Sequence, residues 1–147
     1  TYGGVSATIE YAVAALKVKH LVICGHSDCG AMKAVLHPER LSSLPNVAHW
    51  LSHCDAARAL VDALYPDAGA DEKLHRLIEQ NVLMQMRHVE THPPVAAAVG
   101  TGALSIHGWV YQIETGTVDA YNPETRRFEA IAFDNSNAAD FTPAEVA

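Results

Sequence analysis

The sequence predicts an α/β fold: a parallel sheet core with flanking helices and an antiparallel hairpin edge towards the C-terminus. Three observations predict it. Leu21-Val22-Ile23-Cys24 is a short, continuously apolar run stopped by Gly25, the pattern of a strand covered on both faces. Segments with apolar residues at helical spacing lie on either side of it. Residues 104–132 then read as strands separated by tight turns. With 147 residues and 49% hydrophobic content, the chain suffices for one core and is short for two domains, so 1–147 is read as a single domain.

Val5, Ile9, Ala12, Val13 and Leu16 keep the 3.6-residue period and predict a first helix, with Ser6 or Thr8 as its cap. The strand at 20–25 follows and is expected at the centre of the sheet. A helix opens at Gly30 and breaks at His37-Pro38. A longer one is expected over 45–64, with Val47, Trp50, Leu51, Cys54, Ala57, Leu60, Val61 and Leu64 on one stripe. Tyr65 to Gly69 reads as a turn. A third helix should run from about Asp71 to Glu90, with Asp71 and Glu72 where the helix dipole favours acids. Its apolar seam is Leu74, Leu77, Ile78, Val82 and Met86. Pro93 starts a short helix through Val99, closed by Gly100 or Gly102. Strands are expected at 104–113, 118–121 and 128–132, and the tail 134–147 is read as irregular.

A formal charge of -7 argues against a nucleic-acid surface or an anionic membrane as partner. No apolar stretch reaches the roughly 18 residues that span a bilayer. Three cysteines without framework spacing suit a reducing cytoplasm, which is the expected location. The chain opens at Thr1, without Met and directly before a helical pattern. That opening predicts a piece whose N-terminal part lies elsewhere.

The stretch richest in chemistry is Gly25-His26-Ser27-Asp28-Cys29-Gly30. A strand that delivers an imidazole and a thiol to a helix mouth is well placed to hold a metal. Ligand crevices in open α/β sheets lie beyond the carboxyl ends of the strands. A helix N-terminus also favours the thiolate, the ligand form of cysteine. His-x-x-Cys is a weak signal by itself, because a tetrahedral zinc wants about two more ligands. The competing reading is a capping His26 and small buried cysteines. Cys24 and Cys54 are read as packing residues.

The wider pattern resembles the β-class carbonic anhydrases, most closely the bacterial, plant-like form found beside cyanate metabolism. The resemblance rests on Gly-Gly-Val-Ser-Ala-Thr-Ile-Glu-Tyr-Ala-Val (3–13) and Val-Ile-Cys-Gly-His-Ser-Asp-Cys-Gly-Ala (22–31). It continues through His49-Trp50-Leu51, Glu79-Gln80-Asn81-Val82 and His107-Gly108-Trp109-Val110-Tyr111, up to about Ala132. It implies zinc-dependent, reversible hydration of CO2 to bicarbonate and a proton by zinc-bound hydroxide, in a homodimer or homotetramer. His26 and Cys29 match two of the zinc ligands. Gly30 matches a glycine whose backbone N–H faces the bound anion or solvent, and Tyr11 an aromatic residue lining the CO2 pocket. Trp109 and Tyr111 are expected to be structural, and Asp28 takes no catalytic role.

The family's remaining cysteine lies in a Cys-x-Asp-x-Arg motif, together with an aspartate–arginine dyad, and this chain contains no such motif. The expectation is therefore an incompletely coordinated zinc, or none, and a piece inactive on its own. The rival from another class is a non-catalytic assembly or regulatory domain that kept the fold and lost the site. A thiol redox protein using Cys29 is weaker, because no Cys-x-x-Cys pair is present.

Overall fold

A computed structural model describes residues 3–131. The first helix, α1 (Gly4–Glu10), runs into a wider π turn at Tyr11–Ala15. Then come β1 (His20–His26), α2 (Gly30–Leu36), α3 (Pro45–Leu51), α4 (Asp55–Leu64), α5 (Ala70–Glu90), α6 (Pro93–Gly100), β2 (Ser105–Gln112), β3 (Thr117–Asn122) and β4 (Arg127–Ala130). The strands form one mixed sheet in the order β1-β2-β3-β4. β1 pairs parallel with β2, and the other two pairings are antiparallel. The α/β class and the hairpin edge are as expected; the parallel part of the sheet is a single pair.

Three details differ from the sequence expectation. Among the described residues β1 is an edge strand, not a central one, and its exposure alternates along its length. The helix expected over 45–64 is interrupted by a 3-10 turn at Ser52–Cys54. There the Ser52 hydroxyl donates to the His49 carbonyl at 2.6 Å, a local bond that competes with the helical ladder. The break turns the stripe, so Leu51, Cys54, Ala57 and Val61 are buried while Trp50, Leu60 and Leu64 are exposed. The first helical segment buries only Val13, and Val5 and Leu16 face out. The tail 134–147 lies outside the described residues.

The long helix α5 is the keel of the core. Leu77, Ile78 and Val82 are buried against Val110, Val61 and Ala57 in the main cluster. Close approach of α5 to the sheet depends on two glycines. A Cβ on Gly25 would lie 2.8 Å from Val82 Cγ2, and one on Gly108 would lie 2.6 Å from Met86 Sδ. A second cluster, Val13, Val89, Val95 and Leu104, ties the π turn and α6 to the sheet. Gly102, at φ +71, supplies the left-handed residue after α6, and its N–H bonds the Val99 carbonyl at 2.9 Å.

Candidate functional site

Gly25, beneath α5, carries β1 to its last residue, His26, and a three-residue turn then opens α2. Asp28 takes the left-handed conformation at φ 54, and its carboxylate pairs with Lys33 one turn into α2. Cys29 follows as the residue capping α2. Local chain reversal thus returns the thiol towards the imidazole, and both line one cavity of about 360 Å3. Met32, Leu51 and Ile78 add apolar wall to this cavity, and Asn81 and Gln85 add polar wall from α5.

His26 Nδ1 lies 2.8 Å from the Ser27 carbonyl oxygen. A carbonyl only accepts, so Nδ1 carries the proton and Nε2 keeps its lone pair for a metal. The turn is anchored across the sheet. The Ser27 N–H donates to the Tyr111 carbonyl at 2.8 Å. The Ser27 hydroxyl donates to Glu114 Oε2 at 2.9 Å and accepts from the Ile113 N–H at 2.8 Å. Nothing in the sequence pairs Ser27 with Glu114, 87 positions away. Ser27→Ala is expected to destabilise the fold by about 0.5–1.5 kcal/mol and to loosen residues 26–29. Ser27→Thr, which retains the hydroxyl, should lose less. Urea unfolding and amide exchange at 26–29 check this, and unchanged exchange in the alanine variant would refute the anchoring role.

The structure brings His26 and Cys29 to one cavity, whose lining does not include Gly30 or Tyr11. Gly30 opens α2 in open space, where a Cβ would meet nothing within 4 Å. Tyr11 is 62% exposed on the π turn and is not among the residues lining this cavity. Cys24 is exposed rather than packed, because the face of β1 that carries it lacks cover among the described residues. Cys54 is buried as expected, and burial pushes its thiol up, with the Asp55 charge and Cys29 adding to the effect. Trp50 and His53, edge to face at 5.6 Å, form part of the cavity rim and were not singled out as site residues.

Imidazole and thiolate are good zinc donors, but a zinc site needs three or four protein ligands. Among the described residues no three His, Cys, Asp or Glu side chains converge to hold a metal. His26 and Cys29 are two such donors, fewer than a zinc site takes.

The comparisons with known proteins point one way. The family model described as carbonic anhydrase matches residues 1–118. The carbonic anhydrase of Pseudomonas aeruginosa is 49% identical over 130 residues, covering 88% of this chain and 59% of the relative. Carbonic anhydrase 1 of Escherichia coli O157:H7 is 44% identical with the same coverage of each. The chain thus spans less than two thirds of the length of these relatives. Among solved structures, the β-carbonic anhydrase CcaA superposes with a TM-score of 0.85 at 38% identity, covering 89% of this chain and 64% of that one. A Coccomyxa β-carbonic anhydrase in complex with acetazolamide gives 0.69 at 33% identity, covering 90% and 57%. With four fifths of its length matched by the family model and its sheet and helices shared with those structures, this chain belongs to the carbonic anhydrase family.

Proposed function

We propose that this chain is part of an enzyme for the reversible hydration of CO2 to bicarbonate and a proton, of the bacterial, plant-like β class. The observation that carries the reading is the meeting of His26 and Cys29 at the carboxyl end of β1, in a cavity floored by apolar side chains. Identities of 49% and 44% to the Pseudomonas aeruginosa and Escherichia coli relatives, against 33% to a Helicobacter pylori one, support a subgroup that includes the first two. His26, through Nε2, and Cys29 would hold zinc, with the remaining ligands coming from residues outside those described. Zinc, when bound, supplies water acidified to a pKa of about 7. The chain's own contribution is to orient His26 through Ser27, to present the Gly30 N–H to the bound anion, and to keep the floor dry. Tyr11, exposed and outside this cavity, would take a CO2-lining role only at a subunit contact.

On this reading the 147 residues alone lack the activity. Zinc content after dialysis, paired with stopped-flow CO2 hydration, tests it. A second reading, a non-catalytic assembly or regulatory domain, is favoured by one observation, the lack of a third donor among the described residues. It requires that no Cys-x-Asp-x-Arg strand accompany this chain in its complete protein.

We also assign a cytoplasmic location, from the three free cysteines, and a homo-oligomer. The face of the sheet turned away from α5 exposes Val22 and Tyr111, and Val5, Tyr11 and Trp50 are each more than 60% exposed. A structural neighbour from Sordaria macrospora is described as tetrameric. Light scattering at high micromolar concentration should show a dimer or larger species, and a clean monomer would count against it.

A further inference from the structure

We propose that the polar cavity between α5, the end of α4 and the β3–β4 turn binds a small, multiply charged oxyanion, independently of His26 and Cys29. The cavity measures about 630 Å3, and its wall includes Arg76, Arg126, Arg127, His75 and Gln80. Against these three guanidinium groups the wall sets one carboxylate, that of Glu79. This is unusual company in a chain of formal charge -7 that has only 10 Lys and Arg in all.

Two features make the cluster more than a chance grouping. Arg76 is held in place before any ligand arrives. Its guanidinium lies 5.2 Å from the centre of the Tyr65 ring, and Nη1 donates to Glu79 Oε2 at 3.2 Å. Its Nε is buried without a hydrogen-bond partner among the described residues, and it faces Glu72 Oε1 at 3.9 Å. The second feature is the turn. Arg126 occupies the left-handed region at φ 58, where glycine or asparagine would sit with less strain. Its N–H bonds the Asn122 carbonyl at 2.8 Å, and the Asn122 side chain accepts from the Glu124 N–H at 2.9 Å. That turn delivers two consecutive arginines to the cavity. A strained position filled by a long cation is a pointer to a role for its side chain.

Carboxylates flank these cations, with Glu72 Oε1 3.9 Å from Arg76 Nε. Glu79 is shared between Arg76 and His75, whose Nε2 lies 3.3 Å away. Glu129, near Arg127, accepts from Thr125 at 2.6 Å and from Asn122 at 2.9 Å. Residues 78, 81 and 85 of α5 line the cavity of His26, whereas 76, 79, 80 and 83 line this one, so the two cavities lie on different faces of the helix. A volume of this order suits a phosphorylated or polycarboxylate metabolite. Planar, forked guanidinium groups recognise either through paired oxygens.

The test is calorimetric titration of the chain with inorganic phosphate, in chelator and at constant ionic strength set with sodium chloride. Saturable one-site binding is expected. The double variant Arg126→Gln/Arg127→Gln, at two exposed positions where the turn enters β4, should weaken it about tenfold or more while leaving the fold intact by circular dichroism. His26→Ala should bind as the parent does. A phosphate monoester and a tricarboxylate, titrated alongside, tell which oxyanion carrier fits better. The proposal is overturned if none of the three binds saturably, if the double variant matches the parent, or if binding is lost in His26→Ala.

Discussion

Loaded with zinc and then dialysed, the 147-residue chain is expected to retain well below stoichiometric metal and to hydrate CO2 no faster than buffer. The argument is one of ligand count. Zinc in proteins takes four ligands, three of them from the protein even in catalytic sites. On the proposed reading His26 and Cys29 supply two, and the described residues do not converge a third. Protons compete with zinc for both donors, so the little that is retained should fall further as the pH is lowered. The consequence for rate is large. Lowering the pKa of water from 15.7 to about 7 raises its ionised fraction at neutral pH on the order of 10^8-fold, and a chain without zinc forgoes this. A longer protein carrying a Cys-x-Asp-x-Arg strand should recover both zinc and turnover. Stoichiometric zinc with turnover in the short chain would show that its ligand set has been misread. Stoichiometric zinc without turnover would mean a structural metal, and His26→Ala should then lower stability together with metal content.

What could be read from the residues alone divides by sequence distance. The His26–Cys29 pair was legible because strand end, turn and helix start all lie within a few positions. The same holds for α5, whose seam of Leu77, Ile78 and Val82 is buried as its period requires. The Ser27–Glu114 anchor was invisible, because nothing local in either segment announces a partner 87 positions away. The apolar run of β1 read as a strand covered on both sides. Yet among the described residues it pairs only with β2 and leaves Val22 and Cys24 open. A strand's composition records the cover it is built for, not the neighbour that provides it. The break at Ser52 was hidden for another reason. The apolar spacing continues across it, and only a side chain returning to the His49 carbonyl reveals the change of register.

Gly25→Ala is expected to destabilise the fold by about 1–3 kcal/mol, the range for forcing extra atoms into a packed core. The added methyl would sit 2.8 Å from Val82 Cγ2 and 3.3 Å from Ile78 Cγ2. Neither can step aside, since β-branched side chains in a helix are held largely to one rotamer. Gly108→Ala meets Met86 Sδ at 2.6 Å, a shorter contact but with a flexible thioether that can swing away, although Val82 Cγ1 at 3.0 Å remains. The shorter distance should therefore give the smaller loss. Replacing glycine also stiffens the unfolded chain, which returns about 0.4–1 kcal/mol in both variants and cannot reverse their order. The cause is isolated by a double-mutant cycle on Gly25→Ala and Val82→Ala, read by urea unfolding with constant m. Removing the valine methyls should make the alanine at 25 tolerable, so the double variant should be less damaged than the two single losses combined. Strict additivity would mean that α5 does not press on Gly25. If the coupling is present, His26 is the residue to watch. It follows directly on the strained position, so any retreat of β1 from α5 displaces the imidazole relative to Cys29 and should weaken zinc retention in the longer protein as well.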